Sequence, residues 1–171
     1  MSFTLVQSTA VSSAVSTVTL TGINTDDVYM CAWNNVFCDA NDDISIRVTT
    51  SGTGDSDSEY DYASKDLKEG ATYGNTNNRT NKTHFDLSAG VGTSGTNSDN
   101  GIMYLFNFND SSEYSFVTYE NVTFRDDSAD TLFGFQGGGV HTVAEANDGI
   151  HFFLDGGNNF VSGTFSLYKV I

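Results

Sequence analysis

Hydrophobic and polar residues alternate with a period of two along most of the chain. "DISIRV" sets Ile44, Ile46 and Val48 on one side and Ser45 and Arg47 on the other. "GIHFFLDG" groups Ile150, Phe152 and Leu154, with His151 opposite them, and "GIMYLFNFND" groups Ile102, Tyr104, Phe106 and Phe108. Successive side chains of a strand point to opposite faces, so these runs predict half-buried β-strands. Phe3 and Leu5 alternate with Thr4, and Val18 and Leu20 with Thr17 and Thr19, which carries the pattern to the N-terminal part. "DVYMCAWNN", "EYSFVTYENVTF" and "TLFGFQGG" are further strands, and the stretch around Tyr60 and Tyr62 is a weaker one. The chain ends on the same pattern, through Phe165, Leu167 and, after Lys169, Ile171.

Polar turn clusters separate the strands: Gly22–Asp27, Asp39–Asp43, Gly52–Ser58, Gly90–Gly101, Asp126–Asp130 and Asp155–Asn159. Proline is absent, so Gly, Ser, Thr, Asn and Asp form the turns. Many short strands at this spacing predict an all-β chain, a jelly-roll-like antiparallel β-sandwich with very little helix. Only "YASKDLKEG" (Tyr62–Gly70) suggests a helical turn, with Gly70 as its stop. The stretch from Gly70 to Gly101 reads as the most loop-like. No linker divides the chain, so residues 1–171 are one domain. In such a sandwich the last strand can pair with an N-terminal strand.

Charge changes the picture of partners. The chain carries 22 Asp+Glu against 7 Lys+Arg, net −15. That balance excludes nucleic acid and anionic membranes as partners and favours solubility. No run of apolar residues is long enough to span a bilayer, and the N-terminal part lacks the basic region of a signal peptide. The first charged residue is Asp26. Residues 1–25 are therefore a candidate region for contact with another subunit or a larger assembly, with Phe3, Leu5 and Gln7 as contact residues.

Candidate chemistry is sparse. Cys31 and Cys38 frame "AWNNVF" and read as reduced and structural. His84, His141 and His151 form no metal-binding pair motif, and no Gly-x-Ser-x-Gly elbow occurs. "FQGGGVH" lacks the Lys and helix of a phosphate loop, so its glycines mark a bulge or close backbone approach. "GDSDSEYD" places Asp55, Asp57, Glu59 and Asp61 on one side of an extended chain. A hard cation such as calcium, with Asp55, Asp57 and Glu59 as ligands, is the functional reading; solvated acidic loops are the alternative. "DANDD" (Asp39–Asp43) and "RDDSAD" (Arg125–Asp130) are similar clusters. Trp33, Tyr60, Tyr62 and Tyr73 could stack on sugars, although core packing is the commoner fate of such residues and is expected for Trp33.

The two ends carry a resemblance. Phe3, Thr4, Leu5, Gln7 and Ser8 at the start, and Asn159, Phe160, Ser162, Gly163, Thr164, Leu167 and Tyr168 at the end, resemble small virion structural proteins of marine tailed bacteriophages. Lys169 departs from that pattern, which has Gly there. The resemblance implies a β-sandwich on the virion exterior with no catalytic residues to carry over; without a signal peptide it would be made in the host cytoplasm, and calcium aside no cofactor is expected. The leading expectation is a capsid decoration (cement) protein, a dimer or trimer docked on the major capsid protein or other virion proteins. The alternative is a tail-fibre or receptor-binding module that recognises a host surface glycan.

Overall fold

The computed structural model describes residues 2–70, 75–125 and 131–171. The Asp126–Asp130 turn and Tyr73 lie outside the described residues. The strands are β1 (Phe3–Val11), β2 (Thr17–Thr21), β3 (Tyr29–Cys38), β4 (Ile44–Thr50), β5 (Thr53–Gly54), β6 (Tyr60–Lys68) and β7 (Asn75–Lys82). They continue as β8 (Phe85–Asp86), β9 (Asp99–Phe106), β10 (Tyr114–Phe124), β11 (Leu132–Ala144), β12 (Gly149–Leu154) and β13 (Phe160–Val170). A single 3-10 turn, Gly95–Asn97, is the helical content of the described residues.

Every strand pair is antiparallel. An 8-stranded sheet runs β1-β13-β3-β9-β10-β11-β6-β7, and a 5-stranded group holds β2-β12-β4-β5 with β8 beside β4. Early strands meet late ones: β13 lies between β1 and β3, β12 between β2 and β4, and β11 against β6. This rolled pairing is a jelly-roll-like sandwich. The two end motifs are the two sides of one ladder, from Phe3↔Val170 to Val11↔Gly163. Sheet hydrogen bonds on both edges of β13 are what let it carry alternating apolar residues. Lys169 has a local role as well: its ammonium lies 2.5 Å from Asp27 and donates to Thr25 at 3.0 Å.

The core lies between the sheets and is largely aromatic. Trp33 and Phe165 of the wide sheet meet Phe152 of the small one at ring-centroid distances of 6.0 and 5.0 Å. Ile44, Ile46 and Val48, and Ile150, Phe152 and Leu154, are buried as their alternation predicts. Cys31 and Cys38 are free and buried, and burial pushes both thiols up, Cys38 to about 12.

Three expectations are corrected. Tyr62–Gly70 is not a helical turn: β6 continues to Lys68, because Tyr60, Tyr62 and Ser64 alternate into the core, and Gly70 ends it at φ +70. The Gly70–Gly101 stretch is not simply loop, since it contains β7, β8 and the start of β9. β9 has the opposite phase from its larger residues. Met103 and Leu105 are buried, while Ile102, Tyr104 and Phe106 point outward. Asn107, at φ +59, turns the chain so that Phe108 alone of that set enters the core.

Candidate binding face and acidic pocket

The outer face of the wide sheet is apolar and almost uncharged. β10 alternates strictly, with Val117, Tyr119, Asn121 and Thr123 inside and Phe116, Thr118, Glu120, Val122 and Phe124 outside. Next to it lie Ile102, Tyr104 and Phe106 of β9, Leu132 and Val140 of β11, and Leu67 of β6. Among the described residues, Glu120, Asp61 and Lys65 are the acidic and basic side chains pointing outward from β9, β10, β11 and β6. Val122, Phe124 and Leu132 are 44%, 40% and 46% exposed. Soluble surfaces rarely present contiguous apolar area unless it binds something.

Two shallow grooves cross this face. One, about 510 Å³, runs past Asn34, Asn100, Ile102, Glu120 and Val122. The other, about 380 Å³, lies beside it between Tyr104, Thr118, Glu120 and Gln136. Both are floored by backbone and lined by amides, one carboxylate and apolar side chains.

The three contact candidates separate. Phe3 and Leu5 are 44% and 55% exposed at the β1 rim of this face, where Phe3 packs edge-on against Tyr168 at 6.3 Å. Gln7 turns inward. Its amide accepts from the Thr21 N–H at 2.7 Å and donates to the Thr19 carbonyl at 3.4 Å, tying β1 to β2. The bulge between Leu5 and Gln7 produces this change of side.

Asp55, Asp57 and Glu59 do come together, but through a turn rather than an extended chain. The Asp57 N–H donates to the Asp55 carboxylate at 2.8 Å, and the Glu59 N–H donates to the Asp57 carbonyl at 2.9 Å. Asp61 is not with them; on the outer face of β6 it accepts from the Asn81 N–H. Two residues that sequence reasoning missed complete the pocket. The fully buried His141 of β11 has Nε2 3.0 Å from Asp55 and 3.6 Å from Glu59, and Glu145 follows just beyond the strand. Ligand atoms of Asp55, His141 and Glu145, and of Asp55, Asp57 and Glu59, lie within 4.8 Å of one another. Loss of hydration and the Asp55 charge raise the Glu59 carboxyl above its ordinary value. The set offers oxygen ligands of the kind calcium takes, and an imidazole that calcium does not favour. The His141 hydrogen bond also gives Asp55 a donor of its own. No local spacing could have flagged His141, since register alone carries it to Asp55.

The other acidic cluster within the described residues disperses. Asp39 accepts from the Asn159 N–H, Asp42 from Gly156 and Asp43 from Gly90. Asp39 and Asp42 both hold the 156–159 turn, and Asp43 holds the turn at Gly90. Asp39 is lowered by its Asn159 bonds, and Asp43 is raised by burial. The other histidines are structural. His151 meets Thr19 at 2.8 Å, and His84 meets Asp86 at 2.9 Å. Trp33, Tyr60 and Tyr62 are core residues with no free ring face for a sugar. Within the glycine triplet, Gly139 permits close approach: a Cβ there would sit 2.5 Å from the Phe85 ring.

A second buried polar group is Asp99. It is fully buried at the start of β9, and sequence reasoning did not single it out. Trp33 Nε1–H donates to one oxygen at 2.5 Å and the Asn121 amide to the other at 2.7 Å. Asn121 in turn accepts from the Phe135 N–H at 2.7 Å. Neither donor to Asp99 is charged, so desolvation dominates and pushes its carboxyl up to about 7.

The sequence matches no protein-family model and no curated protein. Among solved structures, the chain is similar to galectin LEC-6 of Caenorhabditis elegans at 6% identity, covering 93% of this chain and 94% of that one, with a TM-score of 0.38. It is also similar to a structure of the infectious bursal disease virus Gx strain at 8% identity, covering 96% of this chain and 38% of that one, with a TM-score of 0.15. Likenesses this weak carry no argument about function.

Proposed function

We propose that the protein is a non-enzymatic structural component of the exterior of a tailed-phage particle, a decoration protein that docks on the shell and stabilises it. One observation carries this reading: the two end motifs that resemble virion proteins form a single ladder, β1 with β13, and that ladder presents Phe3, Leu5 and Tyr168 at its rim. An uncharged apolar rim on a chain of net charge −15 is a directional contact. Modest affinity suffices when many copies attach to one particle.

The test is copy number in purified particles by quantitative mass spectrometry, followed by binding of a Phe3→Ser/Leu5→Ser variant to particles that lack the protein. Decoration requires copies comparable with the major capsid protein and a loss of binding of at least about tenfold in the variant, as expected when two apolar anchors are removed. Absence from particles overturns the virion reading, and unchanged binding overturns the rim.

The groove between Asn34, Asn100, Glu120 and Val122 favours a second reading, a module that recognises a host glycan. Its amides and carboxylate match sugar hydroxyls, and Ile102 and Val122 match the apolar faces of a pyranose. Titration of the purified chain with host surface polysaccharide, read by chemical shifts at Asn100 and Glu120, distinguishes it from the first.

A further inference from the structure

The register across the wide sheet gives the outer face a two-fold pattern. Lys65 of β6 is opposite Gln136 of β11, and Gln136 is opposite Glu120 of β10. The cation and the anion therefore flank one strand at equal spacing, about 4.8 Å to either side. Leu67 is opposite Gly134 on the same strand. The pairings Glu120↔Gln136 and Thr123↔Phe133 put Val122 on the other side of that glycine. One polar row and one apolar row thus share a centre line along β11.

We propose that this face binds a second copy of the chain, in a symmetric dimer whose two-fold axis runs along β11 between the facing sheets. Rotation about that line lays Lys65 of each copy over Glu120 of the other, Gln136 over Gln136, and Leu67 over Val122. Such a contact is self-complementary, as a two-fold interface must be. Gly134 and Gly138 lie along the axis and present no side chain there, so Gln136 is the outward side chain between them on β11. Asp61 falls at the margin with its carboxylate already satisfied by the Asn81 N–H.

Area and charge both favour this occupant. Rotation about β11 superposes the five strands from β9 to β7. At about 4.8 Å per strand and about 3.3 Å per residue over roughly eight residues, that is about 600 Å² per copy, or roughly 1,200 Å² in total, the lower end of the range for specific interfaces. Two chains of net charge −15 repel through their acidic loops, and this near-neutral face is a broad area over which they can meet.

The dimer goes beyond the virion reading and does not depend on it, because it is measured on the purified full chain rather than on particles. It would cover the groove considered for a sugar. Sedimentation equilibrium is run on the wild type, on Lys65→Glu, on Glu120→Lys and on the double swap. Both positions are exposed, so each variant should fold, with circular dichroism as the check. The wild type is expected to dimerise. Each single swap sets like charges face to face and should raise Kd by about tenfold or more, and the double swap should return it to within about threefold. A monomeric or trimeric wild type overturns the proposal. So does a dimer that the single swaps leave unchanged, or one that the double swap fails to restore. Val122→Asp, on the apolar row, gives a second reading: a dimer of unchanged strength in that variant would also overturn it.

Discussion

The two faces of the wide sheet are built from the same strands and similar residues, yet they hold the molecule in different ways. On the inner face, Trp33, Asp99 and Asn121 form a buried polar chain inside an aromatic core. On the outer face, Phe116, Val122 and Phe124 of the same β10 stand exposed with no polar chain among them. Burial makes each inner contact costly to lose, and its absence makes each outer residue cheap to change. Apolar character thus marks two different things here, a core that stabilises the fold and a surface left open to solvent.

Removing the inner carboxylate should show the largest effect. Asp99→Leu leaves the Trp33 N–H and the Asn121 amide buried without an acceptor. At pH 5 this should cost about 4 kcal/mol by chemical denaturation. A loss below about 1 kcal/mol would mean that water or another group reaches these donors.

The second effect is pH dependence. The Asp99 carboxyl is raised from 3.8 to about 7, so the folded state holds its proton more tightly than the unfolded chain does. Stability from this group is full below the unfolded value and is lost as pH rises through about 7. Between pH 5 and 8 the folded form gives up about two pKa units of proton binding, so the wild type should lose roughly 3 kcal/mol. The Asp99→Leu variant should lack this slope, and its deficit should shrink towards about 1 kcal/mol at pH 8. A wild type equally stable at pH 5 and 8 would place the Asp99 carboxyl in its ordinary range.

The smallest effect belongs to the outer face. Val122→Thr keeps shape and strand preference on an exposed position, so monomer stability at low protein concentration should stay within about 0.5 kcal/mol. A loss above about 2 kcal/mol would mean that this face is packed within the monomer and would remove the contrast between the two.

Where polar residues mark one side of a strand, alternation located the strand and its core-facing apolar set: Ile44, Ile46 and Val48, or Ile150, Phe152 and Leu154. It failed at β9 because both sides of that strand are apolar. Periodicity then picks the larger residues, Ile102, Tyr104 and Phe106, rather than the buried Met103 and Leu105. β6 looked helical over Tyr62–Gly70 because polar residues take both sides of it there, Lys65 outward and Asp66 on the side of Tyr60, Tyr62 and Ser64. Asp55, Asp57 and Glu59 stand out as a cluster because they are close in the chain, whereas His141 joins them only across the fold, 86 positions along the chain from Asp55.

Chain-local physics therefore determined what a strand's own pleat and turns can encode: an all-β sandwich, its turns, most of its buried alternation, and the two end motifs that form one ladder. Tertiary structure alone decided which apolar face is covered, where Gln7 turns, that Asp99 is sealed beneath Trp33, and that Lys65 and Glu120 flank a common strand. Those outcomes depend on cross-strand register and on which sheet lies over which. Both arise from pairings between residues far apart in the chain, and short-range periodicity carries no record of them.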